Sequence, residues 1–141
     1  MKSMRLSVLR ESGRRTAVVG LGIATVVGLA ASPAQASSWS STLVGARAGF
    51  ESHRWYDLGG STNITFTDCN SDVQVANVTL RKDVDWEVDP TYTTASFTNC
   101  FNGTYATSSG NWGDHGEGSY YFAVNSVSSA TLSVRTLTVN Y

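Results

Sequence analysis

Proline and cysteine are scarce in this chain, with two of each among 141 residues, and so is histidine, also with two. Two cysteines are too few for a thiolate zinc cage. Cys69 and Cys100 also stand too far apart for a redox Cys-x-x-Cys pair. There is no Gly-x-Ser-x-Gly elbow, no His-Glu-x-x-His, no phosphate loop and no dinucleotide fingerprint. With only His53 and His115 to choose from, a Ser-His-Asp arrangement has no specificity. A carboxylate pair for glycoside hydrolysis is equally unconstrained. The expectation is therefore a non-enzymatic protein with no catalytic residue, no metal site and no cofactor.

What is present begins with an export signal. Lys2, Arg5, Arg10, Arg14 and Arg15 make the start basic against one acid, Glu11. Thr16 to Ala31 then runs without a charge, and Ala34-Gln35-Ala36 offers the small side chains of a cleavage site. A membrane-spanning helix wants about 20 apolar residues; this run is shorter, rich in glycine and followed by that cleavage site. Arg14-Arg15 hints at twin-arginine export, but Ala17-Val18 suits the general secretory route better. The expected division is a cleaved signal peptide over 1–36 and one secreted, extracellular domain over 37–141, a span of 105 residues.

In that domain five basic residues (Arg47, Arg54, Arg81, Lys82 and Arg135) face ten acids, a balance of −5. An acidic domain argues against nucleic acid and against anionic membranes, both of which reward clustered Lys and Arg. An isolated cysteine pair in an oxidising compartment predicts a disulfide between Cys69 and Cys100.

Serine and threonine are abundant, Val, Tyr, Phe and Trp fill the apolar positions, and no stretch of the domain has helical spacing. Residues 43–56 read as one bent strand or two short ones, weakened at Gly45 and Gly49, and Gly59-Gly60 as a turn. Ile64 and Phe66 alternate with polar neighbours, as do Val84, Trp86 and Val88 with Asp83, Asp85, Glu87 and Asp89. The closing run changes phase between Val134 and Leu137, which predicts a bulge near Arg135-Thr136. Seven to eight short strands with frequent turns predict an all-β antiparallel β-sandwich, with a small β-barrel as the alternative. In both Phe66-Thr67-Asp68-Cys69 and Phe97-Thr98-Asn99-Cys100, Phe precedes Cys by three residues. Three residues along a strand reverse the facing, so with both rings in the core the sulfurs face outward or lie past a bulge, as a staple at the rim.

The segment 107–118 is the most site-like, a polar, glycine-rich loop gathering Trp112, Asp114, His115 and Glu117. Its plainer reading is a connection between strands. The acidic row 83–89 puts four carboxylates on one strand face, either a cation site or a charged edge that blocks strand addition. Asp68-Cys69-Asn70-Ser71-Asp72 imitates a calcium loop but lacks the glycine and glutamate that follow, so it reads as a polar turn. Trp86 is placed in the core by its phase, whereas Trp39, Trp112 and one of Trp55 and Tyr56 are candidates for exposed rings that stack on sugars or anchor a protein.

The Arg-rich and Ala/Val/Gly-rich leader, the two spaced cysteines and the late Gly118-Ser119-Tyr120-Tyr121-Phe122 run resemble small, uncharacterised secreted β-sandwich proteins of high-GC Gram-positive bacteria. That resemblance implies no activity. The secreted α-amylase inhibitors of such bacteria are similar in size and strand content and use a Trp-Arg-Tyr tripeptide. Here the order is Arg54-Trp55-Tyr56, and there is one cysteine pair where that family has two, so their function is not carried over. The leading expectation is binding to an extracellular polysaccharide or a secreted protein. The alternatives are an inhibitor of a secreted hydrolase presenting a loop such as 107–118, a small hydrolase using His115 with Asp114 or Glu117, and a structural surface protein.

Overall fold

In a computed structural model the chain is described over residues 36–126 and 130–141. The export-signal reading lies outside the described residues except for Ala36. Among the described residues nine strands run in order: β1 (Ser38–Ala46), β2 (Phe50–Glu51), β3 (Trp55–Asp57), β4 (Ser61–Asn70), β5 (Ala76–Asp83), β6 (Thr91–Phe97), β7 (Thr107–Asp114), β8 (Gly118–Ser126) and β9 (Leu132–Asn140). A single 3-10 turn, Asn99–Phe101, sits between β6 and β7.

The strands form two antiparallel sheets. One has the order β1-β9-β4-β7; the other has β2-β8-β5-β6, with β3 also on β8. This is a β-sandwich, as the alternating pattern predicts. Strands β2 and β3 share one edge of β8, Phe50 facing Val124 and Trp55 facing Tyr120. Between them Ser52 keeps contact with β8: its N–H donates to the Phe122 carbonyl, and its hydroxyl accepts from the Phe122 N–H. The segment read as one or two strands over 43–56 is thus three pieces. Gly49 lies in the first break with φ of +90°, and Gly45, with φ of +64°, sits inside β1 at a register shift; glycine adopts both conformations without a Cβ penalty.

The core lies where the sheets face each other. Ile64 and Phe66 of β4 and Leu132, Leu137 and Val139 of β9 meet Val78 and Leu80 of β5, Phe97 of β6 and Phe122 and Val124 of β8, all fully buried. Phe66 meets Phe97 edge to face at 4.9 Å and Phe122 at 5.8 Å. Burying each such side chain contributes about 1.5–3 kcal/mol, and edge-to-face geometry adds to that.

The phase change predicted in the last strand is present: Val134 and Leu137 are both buried, with Arg135 and Thr136 exposed between them. Strand β4 makes the same shift opposite. Phe66 pairs with Leu137 and Cys69 with Val134, and Asp68 between them has φ of +57°. Against β1 the register shifts at the same place: Ser41 pairs with Leu137 and Leu43 with Val134, so Arg135 and Thr136 oppose Thr42 alone, the bulge expected there. Cys69 is therefore buried past an irregularity, one of the two arrangements its spacing allows.

Cys69 and Cys100 are joined by a disulfide. Both are buried, so the bridge belongs to the core and not to the rim. Cys100 lies on the 3-10 turn that carries the chain from one sheet to the other, so the bridge ties the end of β4 to that crossover. The cysteines are 31 residues apart, which in the chain-entropy model contributes about 3–4 kcal/mol. Replacing both by alanine is expected to lower stability by about that amount in denaturant melts, and reductant will then have no further effect.

Candidate functional site

Three of the sequence expectations are corrected where the site was sought. First, 107–118 is not an open loop. Residues Thr107–Asp114 are β7, paired with β4 from Thr67↔Thr107 to Ser61↔Asp114, and β8 begins at Gly118, leaving 115–117 as the turn. Second, Trp112 is buried, not exposed. Its indole N–H donates to the Thr93 carbonyl of β6, so it closes the seam between β7 and β6, the neighbouring edges of the two sheets. Gly110 is there for packing. A Cβ on Gly110 would lie 2.6 Å from the Trp112 ring and 3.1 Å from the Ala95 side chain. Gly110→Ala is accordingly expected to destabilise the domain by about 1–3 kcal/mol through overpacking, read as a lower midpoint in a urea melt.

The turn residues are each engaged within the protein. Asp114 accepts the Gly116 N–H at 2.7 Å. The His115 ring stacks on Tyr92 at 3.7 Å. The Tyr120 hydroxyl donates to the carbonyls of His115 and Gly116. Burial, then the Asp57 and Asp114 carboxylates, raise the Tyr120 phenol above its ordinary range. Glu117 accepts a hydrogen bond from the exposed Tyr56 at 2.6 Å, which raises the Tyr56 phenol. Trp55 is buried against Tyr141 and Trp39, and the His53 ring meets Trp39 at 4.0 Å, tilted by 46°, whereas His115 stacks on Tyr92. Among the described residues no group of three or more His, Cys, Asp or Glu is placed to hold a metal ion.

Third, the row 83–89 is not a strand. Strand β5 ends at Asp83 and β6 begins at Thr91, so Val84 to Pro90 is the loop between paired neighbours, closed by the Lys82 N–H on the Pro90 carbonyl. Trp86 has φ of +65° and is 102% exposed; Val88 is 93% exposed. Four carboxylates in line on one strand face would repel one another; here they separate. Asp83 pairs with Arg54, Asp89 turns inward, and Asp85 and Glu87 stay exposed beside Trp86.

The base of this loop is fixed. Asp89 accepts the Val84 N–H through Oδ1 at 3.1 Å and the Tyr121 hydroxyl through Oδ2 at 2.6 Å. Side chains alternate along β8, so while Tyr120, Phe122 and Val124 point to the core, Tyr121 stands on the outer face. There the Arg54 guanidinium covers its ring at 3.9 Å. Arg54 in turn pairs with Glu51 at 3.1 Å and Asp83 at 3.2 Å.

The Tyr121 hydrogen bond, then the Val84 N–H, hold the Asp89 carboxyl below its ordinary range. Burial, then the Asp89 bond, raise the Tyr121 phenol. A lowered carboxyl stabilises above the unfolded carboxylate range, and that contribution is lost as pH falls through the folded value. A raised phenol stabilises below the unfolded tyrosine range, and is lost as pH rises through the folded value. The loop base is therefore held across neutral pH and released at both extremes. Asp89→Asn is expected to reduce hydrogen-exchange protection of the Val84 amide about tenfold at neutral pH. Acidification is expected to bring the native chain toward the variant; unchanged protection would contradict this.

Sequence reasoning missed the loop because its apolar residues alternate with acids. The signals that could have exposed it are the Asp89-Pro90 break and the cost of aligned like charges. Comparison with protein-family models, with curated proteins and with solved structures finds no match. What is established is a small all-β sandwich with one disulfide. Among the described residues no helix is long and apolar enough to cross a membrane.

Proposed function

We propose that this chain is a secreted, non-enzymatic binding domain that presents the Trp86 loop to a protein partner. The observation that carries this reading is a tryptophan wholly exposed at the tip of a loop whose base is tied at two points by Asp89. Exposing an indole in water is unfavourable by the hydrophobic effect, and a left-handed φ on a bulky residue adds strain. Interface hot spots are enriched in such residues, and truncating one costs about 2 kcal/mol or more of binding. A loop already ordered loses less entropy on association.

Protein is favoured over polysaccharide by the shape of the feature. A single ring with Val88 beside it and two carboxylates around it makes an apolar plug with an acidic collar. That fits an apolar pocket rimmed by basic groups. The inhibitor reading moves to this loop from 107–118, since a convex, anchored loop suits insertion into a hydrolase cleft. The hydrolase reading gains no support: the His115 ring is stacked on Tyr92, and Asp114 and Glu117 are taken by Gly116 and Tyr56.

The test is retention of partners from the culture medium of the producing cell on immobilised native protein and on Trp86→Ala, with chitin, cellulose and peptidoglycan assayed in parallel. The expected outcome is a protein held by the native chain, with affinity reduced about thirtyfold or more by Trp86→Ala. Equal retention by both chains, or binding to a polysaccharide alone, would overturn the proposal.

A further inference from the structure

A concave feature lies where β1 hands the chain to β2. It is a cleft of about 550 Å³, and no residue of the 84–90 loop lines it. Its floor is apolar and aromatic: the part-exposed rings of Trp39 and Phe50, backed by the fully buried Phe122 and Leu137. The Trp39 and Phe122 rings are nearly parallel, 12° apart with centroids at 6.4 Å, and Phe50 meets Phe122 at 6.3 Å. The outer wall is the end of β1 and the turn Arg47–Gly49, which the Phe50 N–H closes on the Arg47 carbonyl.

The cleft has a structural cause. The β1–β9 ladder slips twice, between Ser41 and Leu43 and again between Leu43 and Ala46. Gly45 lies within the second slip and Gly49 in the connection to the other sheet; both are at positive φ, and neither has a heavy atom within 4 Å of where a Cβ would stand. On this side Trp39 of β1 packs on Trp55 of β3, and the cleft lies beside that contact.

The charge at this cleft runs against the rest of the domain. No carboxylate lines it, although acids outnumber bases two to one after residue 36. The one permanent cation among its lining residues is Arg47. Arg54 is paired with Glu51 and Asp83, Arg135 with Asp68, and Lys82 donates to the His115 carbonyl. Arg47 is exposed, and its guanidinium has no hydrogen bond or ion pair among the described residues. The Trp39 indole N–H, on the floor, also lacks an acceptor.

We propose that this cleft is a binding site for a small aromatic carboxylate. The planar body covers the exposed surface of Trp39 and Phe50, and the carboxylate meets the Arg47 guanidinium at the mouth, where no acid competes. The volume lies within the range of small-molecule sites, about 300–1,000 Å³. A guanidinium offers a carboxylate two parallel hydrogen bonds, so the charge sets orientation while the rings supply area.

The test is titration of the intact protein with 2-naphthoate, followed by intrinsic tryptophan fluorescence and calorimetry. Its neutral counterpart 2-naphthamide and the ringless anion acetate are the controls. Saturable binding of 2-naphthoate is expected, with both controls at least about tenfold weaker. Arg47→Gln is expected to weaken 2-naphthoate about tenfold, with 2-naphthamide and the melting temperature unchanged, since the Arg47 side chain has no internal partner to lose. Trp86→Ala is expected to leave the titration unaltered, so this site and the loop reading stand or fall separately. The proposal is overturned by no saturation at millimolar 2-naphthoate, by acetate binding as tightly, or by an Arg47→Gln chain that binds 2-naphthoate like the native one.

Discussion

The contact of Phe66 with Phe97 and Phe122 is the constraint on which the rest of this domain depends. Phe66 belongs to one sheet and its two partners to the other, so the sandwich exists because these rings leave water together. The disulfide works beside that contact. Cys69 lies three residues after Phe66 and Cys100 three after Phe97, so one covalent bond closes the core at the end where the chain crosses between sheets.

Strand β8 links this core to the surface. Its alternation sends Phe122 inward to Phe66 and Tyr121 outward to Asp89. The same strand that fixes the sandwich therefore fixes the base of the Trp86 loop. Arg54 completes the arrangement, lying on the Tyr121 ring and pairing with acids from two segments, Glu51 and Asp83. A mobile tip would lose ordering entropy on meeting a partner; a tip held at its base has lost much of it on folding. The two sides of the sandwich differ as well. Trp112 seals the β6–β7 seam over Gly110, whereas beside the passage from β1 to β2 the Trp39 and Phe50 rings keep part of their surface exposed.

Much of this was legible in the sequence. Alternation placed Ile64 and Phe66 on the core face, and the Val134–Leu137 phase change announced the irregularity that the structure shows. The cysteine pair gave the bridge, but its burial depended on the left-handed Asp68, which spacing alone does not specify. The candidate site was harder to read for two reasons. Period-two alternation over 83–89 is shared by a strand and by a loop whose apolar residues face water, and only the Lys82–Pro90 closure decides between them. Glycine in 107–118 marks mobility in one context and close ring packing in another, and only the position of Trp112 decides. Of the residues singled out from sequence, Tyr56 is exposed, while Trp55 and Trp112 are buried in the scaffold.

The function proposed for this domain rests on an exposed tryptophan displayed by an ordered loop. The most direct measurement is the backbone amide order parameter of Trp86 from nitrogen-15 relaxation of the free protein. The account predicts a value of about 0.8 or above, like the flanking β5 and β6. A value below about 0.6, with the strands still rigid, would mean that the loop is not preorganised, and would contradict the account.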